Sequence, residues 1–436
     1  MAGLSLRSYL ERQGIVPGQG LRGYCAPGLN PIGLRSLISA PRIIHISDLH
    51  FVDSDHTWIW ESGVLTQVKE DSGKKSREIL GFLLSNREKL GTNVVVITGD
   101  LTDRGGEGDY RIAVDFIREL RENGFEVHSI PGNHDYCWLG NIIFEDIFRA
   151  ARAIDVAEIR GKASIQSQQA VEAAVLAKIE DEFNTRLAAG IPGYRFPRGV
   201  LTDLLQLFSV ISSSVVGNTD TVDNQQRRQR FIRFINPDTS NAYPRVVPLA
   251  NGYLVMLDSM QAELDEETGD HFAQGKIGTP QLQALKVWLL ENQAEREAGK
   301  KVIVCVHHSP FHLRELVVPD GFSVGRAPDE FTLDFTCGLD DALDFLEVIK
   351  NRVDCLLFGH VTPAGLLQLG GGEKGYFSGM EIKLGVPLIN CENLLRMSER
   401  YPVTILDLGT YQRLVYLTDG TRVDLSWGHP TARSPG

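Results

Sequence analysis

The sequence predicts an α/β protein in which helices pack on β-sheet, and two observations support this fold class. Apolar runs rich in β-branched residues recur along the chain, as in Val94-Val95-Val96-Ile97. Runs of this kind are typical of strands that are buried on both faces. Between the runs lie segments with apolar residues at helical spacing, such as residues 74–89 and 110–123. This alternation of strands and helices indicates a layered α/β domain.

Several of the predicted strands end in side chains that can bind a metal or transfer a proton. The five strand ends are Asp48-Leu49-His50, Gly99-Asp100, Gly132-Asn133-His134-Asp135, His307-His308 and Gly359-His360. In open α/β sheets, ligands bind beside the carboxyl ends of the strands. One acidic turn or one buried histidine would indicate little by itself. Five such ends, which we expect to converge on one sheet edge, predict a functional site.

In combination, these motifs resemble the calcineurin-like metallophosphoesterase superfamily. The series is Asp48-x-His50, Gly99-Asp100-x-x-Asp103-Arg104, Gly132-Asn133-His134-Asp135, His307-His308-x-Pro310 and Gly359-His360. Each motif is weak alone, whereas their order and number are specific. The resemblance implies a layered metallophosphoesterase β-sandwich that is flanked by helices and carries a helical cap insertion.

The resemblance also implies a hydrolase of phosphoester bonds with two divalent or transition metal ions, namely Mn, Fe or Zn. Mixed imidazole and carboxylate ligands suit these metals better than calcium. The implied ligands are Asp48 and His50 for the first ion, Asp100 as the bridge, and Asn133, His307 and His360 for the second ion. A hydroxide that bridges the two ions is then expected to attack phosphorus.

Other residues receive roles from the same resemblance. His134 is the expected general acid for the leaving group, Asp103 orients and stabilises it, and Arg104 holds the non-bridging phosphate oxygens. Thr362, His308 and Asp135 are candidates for supporting positions around the ligands. The neighbours His307 and His308 point to opposite sides of an extended chain, and the family pattern favours the first of them as the ligand.

One position departs from the pattern. Many family members have a second histidine in a Gly-His-x-His motif, whereas this chain has Thr362 there. A hydroxyl is a weaker ligand for these metals than an imidazole. Residues 99–105 are similar to the protein-serine/threonine-phosphatase branch, but His307-His308-Ser309-Pro310 is similar to the phosphodiesterase branch. The substrate therefore stays open between a phosphodiester, a small nucleotide and another organophosphate.

The positions of the motifs predict how the chain is divided. The expected segments are an N-terminal extension (1–40), the first part of a catalytic domain (41–139), a helical cap insertion (140–245), the second part of the catalytic domain (246–427) and a tail (428–436). We interpret the basic run 225–233 as a solvated helix face, with a clamp for a substrate anion as the alternative. Residues 403–408 and 414–418 are expected to form antiparallel strands of a second sheet.

Composition limits the possible partners. The formal net charge is −12, and an acidic chain is a poor non-specific binder of nucleic acid or anionic membrane. No apolar run approaches the roughly 20 residues of a membrane-spanning helix, and no signal-peptide core is evident. We therefore expect a cytoplasmic enzyme with a small phosphorylated substrate. A nuclease of the same superfamily, and a non-catalytic scaffold with a degenerate metal site, are the alternatives.

Overall fold

The structure is a computed structural model. It describes residues 41–136 apart from 55, 62 and 63, then 177, 224–236, 243–260, 275–310, 339, 341–360, 388–390, and 401–426 apart from 411 and 421. The expected N-terminal extension, the tail, most of the expected cap 140–245 and Thr362 lie outside the described residues. Among the helices that are described, none combines the length and the apolar character needed to span a bilayer.

The described part of the chain forms strands and helices that alternate along much of the sequence. The strands are β1 (Arg42–Ile46), β2 (His56–Glu61), β3 (Val64–Lys69), β4 (Val94–Thr98), β5 (Glu126–Ile130), β6 (Arg245–Leu249), β7 (Gly252–Met256), β8 (Lys301–Cys305), β9 (Cys355–Phe358), β10 (Leu388–Asn390), β11 (Pro402–Asp407), β12 (Gln412–Leu417) and β13 (Arg422–Ser426). The helices are α1 (Ser72–Leu90), α2 (Glu107–Glu122), α3 (Asn133–Tyr136), α4 (Asn224–Ile235), α5 (Thr279–Glu291), α6 (Gln293–Glu297) and α7 (Ala342–Ile349).

Two mixed sheets contain most of these strands. The first has the order β13-β12-β11-β1-β4-β5, and the second has the order β10-β9-β8-β7-β6. In the first sheet β1, β4 and β5 are parallel, and in the second sheet β7 to β10 are parallel. Strands β2 and β3 pair separately as an antiparallel hairpin. Mixed sheets with flanking helices confirm the predicted α/β class.

The C-terminal strands correct one prediction. Strands β11 and β12 are antiparallel, as expected, but they extend the first sheet and not the second. Strand β11 pairs with the edge of β1 that β4 leaves open, with Leu406 opposite Ile43. The alternation of residues in a strand shows which face is buried, but it does not show which neighbouring strand it joins.

Three apolar clusters fill the layers. The space between the two sheets holds Ile43, Val96 and Ile130 of the first sheet together with Leu254 and Ile303 of the second. A second cluster packs the outer face of the first sheet against α1, α2 and α4. A third packs the outer face of the second sheet against α5 and α7. The order of layers is therefore helix, sheet, sheet, helix.

The two helices predicted after β1 and β4 are confirmed with slightly different ends. The Asp71 side chain accepts the Lys74 amide at 2.7 Å and caps the start of α1. Gly91 ends this helix with a φ of 64°, a left-handed conformation that glycine adopts readily. In α2 the predicted apolar stripe, which includes Phe116 and Leu120, is buried.

Helix α4 lies within the predicted cap segment and packs on the domain core. It contacts α2 and α3, and Phe231 and Ile235 belong to the apolar cluster of the first sheet. Arg227 is only 2% exposed, so the basic run is not a fully solvated face. The nearby acidic residues Asp220, Asp223 and Asp238, which were expected to pair with this run, lie outside the described residues.

The expectation that five strand ends converge on one sheet edge is wrong in one respect. Strands β1, β4 and β5 belong to the first sheet, whereas β8 and β9 belong to the second. Because both sheets direct their parallel strands toward the same end of the sandwich, the polar residues meet across the two sheets. The site therefore lies where the two sheet edges come together.

Candidate metal centre

Residues at these strand ends adopt a backbone conformation that is rare for side chains other than glycine. The φ angles are 56° for Asp48, 45° for His50, 49° for Asp100 and 73° for His360. A left-handed residue costs about 1–2 kcal/mol, although Asp and His adopt this region more often than most residues do. Strain of this kind persists only where the surroundings enforce it, and it is concentrated at functional sites.

The loops after β1 and β4 are joined by backbone hydrogen bonds that continue the strand pairing beyond the sheet. The Asp48 amide donates to the Gly99 carbonyl at 3.1 Å, and the His50 amide donates to the Asp100 carbonyl at 2.9 Å. Two further backbone bonds, one donated and one accepted, join Phe51 to the same loop. This pairing fixes the two loops relative to one another and holds their strained residues in place.

A first group of side chains surrounds His50. Its Nε2 lies 3.6 Å from Asp100 Oδ2 and 3.9 Å from Asp48 Oδ1, and its Nδ1 lies 3.5 Å from Asp103 Oδ1. All four residues are buried. These separations are too long for hydrogen bonds, and neither ring nitrogen of His50 has a hydrogen-bond partner among the described residues. The imidazole is surrounded by carboxylates without being bonded to them.

A second group is centred on His307. Its Nδ1 lies 2.7 Å from the Thr98 carbonyl oxygen, which can only accept, so Nδ1 carries the proton. Its Nε2 lies 2.8 Å from Asn133 Oδ1, 3.2 Å from His360 Nδ1 and 3.3 Å from Asp100 Oδ2. Asp100 Oδ2 therefore lies near the imidazoles of both groups.

His134 lies beside both groups and is more exposed than its neighbours, at 17% of its side chain. Its Nδ1 lies 2.9 Å from the Asp103 backbone carbonyl and 3.6 Å from Asp103 Oδ1. Its amide donates to Asp100 Oδ1 at 2.9 Å. Its ring meets that of His50 edge to face, with centroids 4.4 Å apart. The structure thus brings His134 and Asp103 together next to the buried carboxylate.

Arg104 and Asp135, which were also predicted, lie around this centre. The Arg104 guanidinium lies 3.5 Å from Asp103 Oδ2 and donates to Ser54 Oγ at 3.1 Å. The Asp135 carboxylate accepts the amides of Thr102 at 2.8 Å and Gly132 at 2.9 Å, and so ties the loop after β4 to the loop after β5.

His308 lies on the other side of the second group. Its Nδ1 lies 2.7 Å from Ser259 Oγ, and its ring centroid lies 4.5 Å from that of His360. His307, in contrast, directs Nε2 toward Asp100 and Asn133. The two neighbouring imidazoles therefore have different surroundings.

The buried carboxylates stabilise positive charge on the imidazoles of His50 and His307. Burial lowers the pKa of His50, but the carboxylates of Asp103, Asp48 and Asp100 raise it more, to about 10. Burial also lowers the pKa of His307, and Asp100 outweighs it to give about 9. Burial raises the pKa of Asp100, whereas the imidazoles of His307, His134 and His50 bring it well below its ordinary value. A bound cation would take the place of these protons.

The residues present fit metal ions. Within the described part of the chain, three sets of side chains have ligand atoms that all lie within 4.8 Å of one another: His50, Asp100 and His134; Asp48, Asp100 and His307; and His307, His308 and His360. Asp100 belongs to two of these sets. The buried ring nitrogens of His50, which have no hydrogen-bond partner among the described residues, add an independent indication. Imidazole and carboxylate together suit Zn, Fe or Mn.

Some supporting residues were not predicted from the sequence. The Thr98 carbonyl accepts one hydrogen bond from His307 Nδ1 and a second from Ser47 Oγ at 3.2 Å. A backbone carbonyl has no sequence signal. Ser259, which bonds His308, follows a buried strand as part of an Asp-Ser pair, and that pattern was the one signal that could have identified it.

This arrangement is typical of hydrolases that use metal ions on an α/β scaffold. Residues 41–179 match a family model described as calcineurin-like phosphoesterase. The match confirms the resemblance carried by the motifs, and with it the class, an enzyme that hydrolyses phosphoester bonds. A comparison with curated proteins found no match.

Solved structures with some likeness include three phosphatases. A dimetal phosphatase from Danio rerio is 12% identical, with 89% of this chain and 100% of that chain covered and a TM-score of 0.40. A purple acid phosphatase from yellow lupin (Lupinus luteus) seeds is 11% identical, with 88% and 52% covered and a TM-score of 0.39. A cold-active protein-tyrosine phosphatase from a psychrophilic Shewanella species is 12% identical, with 88% and 80% covered and a TM-score of 0.29. At these TM-scores the likeness supports no conclusion about this chain.

Gly132 lies so close to Asp100 that we expect this position to tolerate no side chain. A Cβ added there would overlap the Asp100 carboxylate and its backbone amide. We expect Gly132→Ala to displace Asp100 and to lower kcat/KM for a nitrophenyl phosphoester by about 10²-fold, the cost of a misplacement of about 1 Å at an active site. The matched control is Gly81→Ala, because a Cβ at Gly81 meets nothing within 4 Å.

Gly81→Ala should leave kcat/KM unchanged and raise stability by about 0.5–1 kcal/mol, since alanine favours a helix interior. Wild-type kcat/KM in a folded Gly132→Ala protein would contradict the prediction that a Cβ at Gly132 displaces the Asp100 carboxylate.

Proposed function

We propose that the enzyme hydrolyses a phosphodiester, a small nucleotide or a related organophosphate with two metal ions held between the sheets. The single observation that supports this best is the position of Asp100, whose Oδ2 lies 3.6 Å from His50 Nε2 and 3.3 Å from His307 Nε2. One carboxylate between two groups of imidazoles is suited to serve two ions at once. Two bound ions would activate water and neutralise the charge on the phosphate group.

We infer a division of the ligands between the two ions from these distances. Asp48 and His50 would hold the first ion with Asp100, and their two loops are already joined by backbone bonds. Among the residues of the second group, His307 has the contacts of a ligand, because its Nε2 faces Asn133 and Asp100 while Nδ1 bonds a carbonyl.

The remaining ligands and supporting residues follow from this division. Asn133 and His360 would complete the second site, since both contact His307 Nε2. His308, whose Nδ1 bonds Ser259, would support that site from the side. Asp135 would support both sites by fixing the loops that carry the ligands.

His134 is the residue best placed to give a proton to the leaving group. With the Nδ1 proton donated to the Asp103 carbonyl, Nε2 remains available for proton transfer. The Asp103 carboxylate lies 3.6 Å from the same nitrogen, where it helps to hold the ring in position. Partial exposure of the ring leaves it accessible to a substrate.

Arg104 would bind the non-bridging phosphate oxygens. Its guanidinium is only partly buried, and its contacts with Asp103 and Ser54 leave it next to the general acid. Guanidinium groups bind phosphate with two parallel hydrogen bonds.

We further propose that the substrate is small. The net charge of −12 disfavours long contact with a phosphate backbone, so nucleic acid is the less favoured substrate.

The function predicts the effect of removing the general acid. His134→Ala should lower kcat by about 10²–10⁴-fold, the usual contribution of general acid catalysis. The loss should be smaller for nitrophenyl esters than for alkyl esters, because a good leaving group needs no proton. Steady-state kinetics on both series measures this dependence.

Arg111→Ala serves as the control, since Arg111 is an exposed helix residue paired with Glu107. An equal loss of kcat across all leaving groups in His134→Ala would contradict the general acid role.

The substrate class is tested by a panel of phosphomonoesters, linear diesters, cyclic nucleotides and plasmid DNA, each assayed with added Mn²⁺. We expect the highest kcat/KM on small diesters or nucleotides. Preferential cleavage of DNA would assign the chain to the nucleases, and no turnover of any phosphoester would contradict the proposed function.

A further inference from the structure

Lys75, on the first turn of α1, is a lysine inside the protein. It is 1% exposed, whereas the adjacent Lys74 has 47% of its side chain exposed. Lysine is rarely buried to this extent unless it is paired. Burial lowers the pKa of Lys75, and Glu70 acts in the opposite direction. A buried ammonium at this position therefore needs specific partners.

The partners of Lys75 connect it to the first metal group. Its Nζ donates to the Leu49 carbonyl at 2.8 Å and forms an ion pair with Glu70 Oε1 at 2.7 Å. Leu49 lies between the expected ligands Asp48 and His50 in the sequence. Lys75 therefore binds the peptide unit that joins the two ligands, from the side of α1.

The Leu49 carbonyl is bonded by a side chain. Asp48 and His50 both have positive φ angles, and their amides bond the loop after β4. Among the described residues no backbone hydrogen bond joins Leu49 to that loop, and its carbonyl accepts a hydrogen bond from Lys75 Nζ. A charged donor gives a stronger bond than a neutral one. The bond thus holds the middle of a strained turn whose two ends carry metal ligands.

The first turn of α1 is attached to the same loop at a second point. The Val52 amide donates to Ser72 Oγ at 2.8 Å. Glu70 offsets the charge of Lys75, so the ammonium can bond Leu49 without adding net positive charge behind a cation site. The helix start therefore supports the loop at two points, and Lys75 supplies the contact nearest the ligands.

We propose that Lys75 is a positioning residue for the first metal site: its bond to the Leu49 carbonyl sets the left-handed turn that directs Asp48 and His50 toward the ion. The inference rests on the proposed function, because it assumes two metal sites. Lys75 contacts neither the substrate nor the ion in this role, so it acts through the ligands alone.

The test is calorimetric titration of Mn²⁺ into the full-length protein after removal of metal by chelation. Lys75→Met keeps most of the side-chain volume and removes the donor. We expect it to weaken the first site by about 10–100-fold, the usual effect of losing a group that orients a ligand, and to leave the second site unchanged. Lys74→Met is the matched control and should bind like the wild type. At saturating Mn²⁺, kcat of Lys75→Met should recover.

Combination with ligand variants assigns the effect to a site. In a His360→Ala background, which impairs the second site, Lys75→Met should still weaken the remaining one. In a His50→Ala background it should cause a smaller further loss than in the wild type, because one of the two ligands it positions is gone. Full additivity with His50→Ala, or equal weakening of both sites, would overturn the inference.

Glu70→Gln provides a second variant in case Lys75→Met does not fold. It should weaken the first site in the same direction but less, and wild-type affinity in that variant would count against the inference. Two Mn²⁺ sites in the wild type uphold the proposed function whatever the variants do. Absence of metal uptake by the wild type would overturn both.

Discussion

The structure depends on one buried carboxylate, Asp100, held between imidazoles that come from two different sheets. A carboxylate out of water is costly unless cations or hydrogen-bond donors surround it. Here His50 and His307 lie within 3.6 Å of it, and the His134 amide donates to it. The two sheets must therefore meet at their carboxyl ends, because His307, which follows β8 of the second sheet, has to reach a residue that follows β4 of the first.

This constraint explains why the surrounding backbone is strained. Asp48, His50, Asp100 and His360 all have left-handed φ angles, which an unconstrained chain would avoid. Pairing between the loops after β1 and β4, the Asp135 carboxylate behind them and the Lys75 ammonium below them together hold the strained residues in place. Rigid support of this kind is what a catalytic group needs, since small errors of position lower rates greatly.

Much of the fold and of the candidate site was predictable from the sequence. An apolar run that ends in Asp, Asn or His indicates both a buried strand and a polar rim, so the strand ends, helices α1 and α2 and the proposed ligands could be read from the chain. The assignment of strands to sheets could not, because alternation carries no information about the neighbouring strand, and β11 and β12 were placed in the wrong sheet. Lys75 and Arg227 also escaped prediction, since a charged residue in an amphipathic helix ordinarily faces solvent, whereas both are buried here.

The central claim is that Asp100 serves two metal sites, and the most direct test is the metal content of Asp100→Asn beside the wild type. Both proteins would be loaded with Mn²⁺, freed of excess ion and measured by elemental analysis, with folding checked by circular dichroism. A bridging carboxylate predicts two ions per wild-type chain, a loss from both sites in the variant and no turnover. A folded Asp100→Asn protein that retains both ions and full activity would contradict the claim.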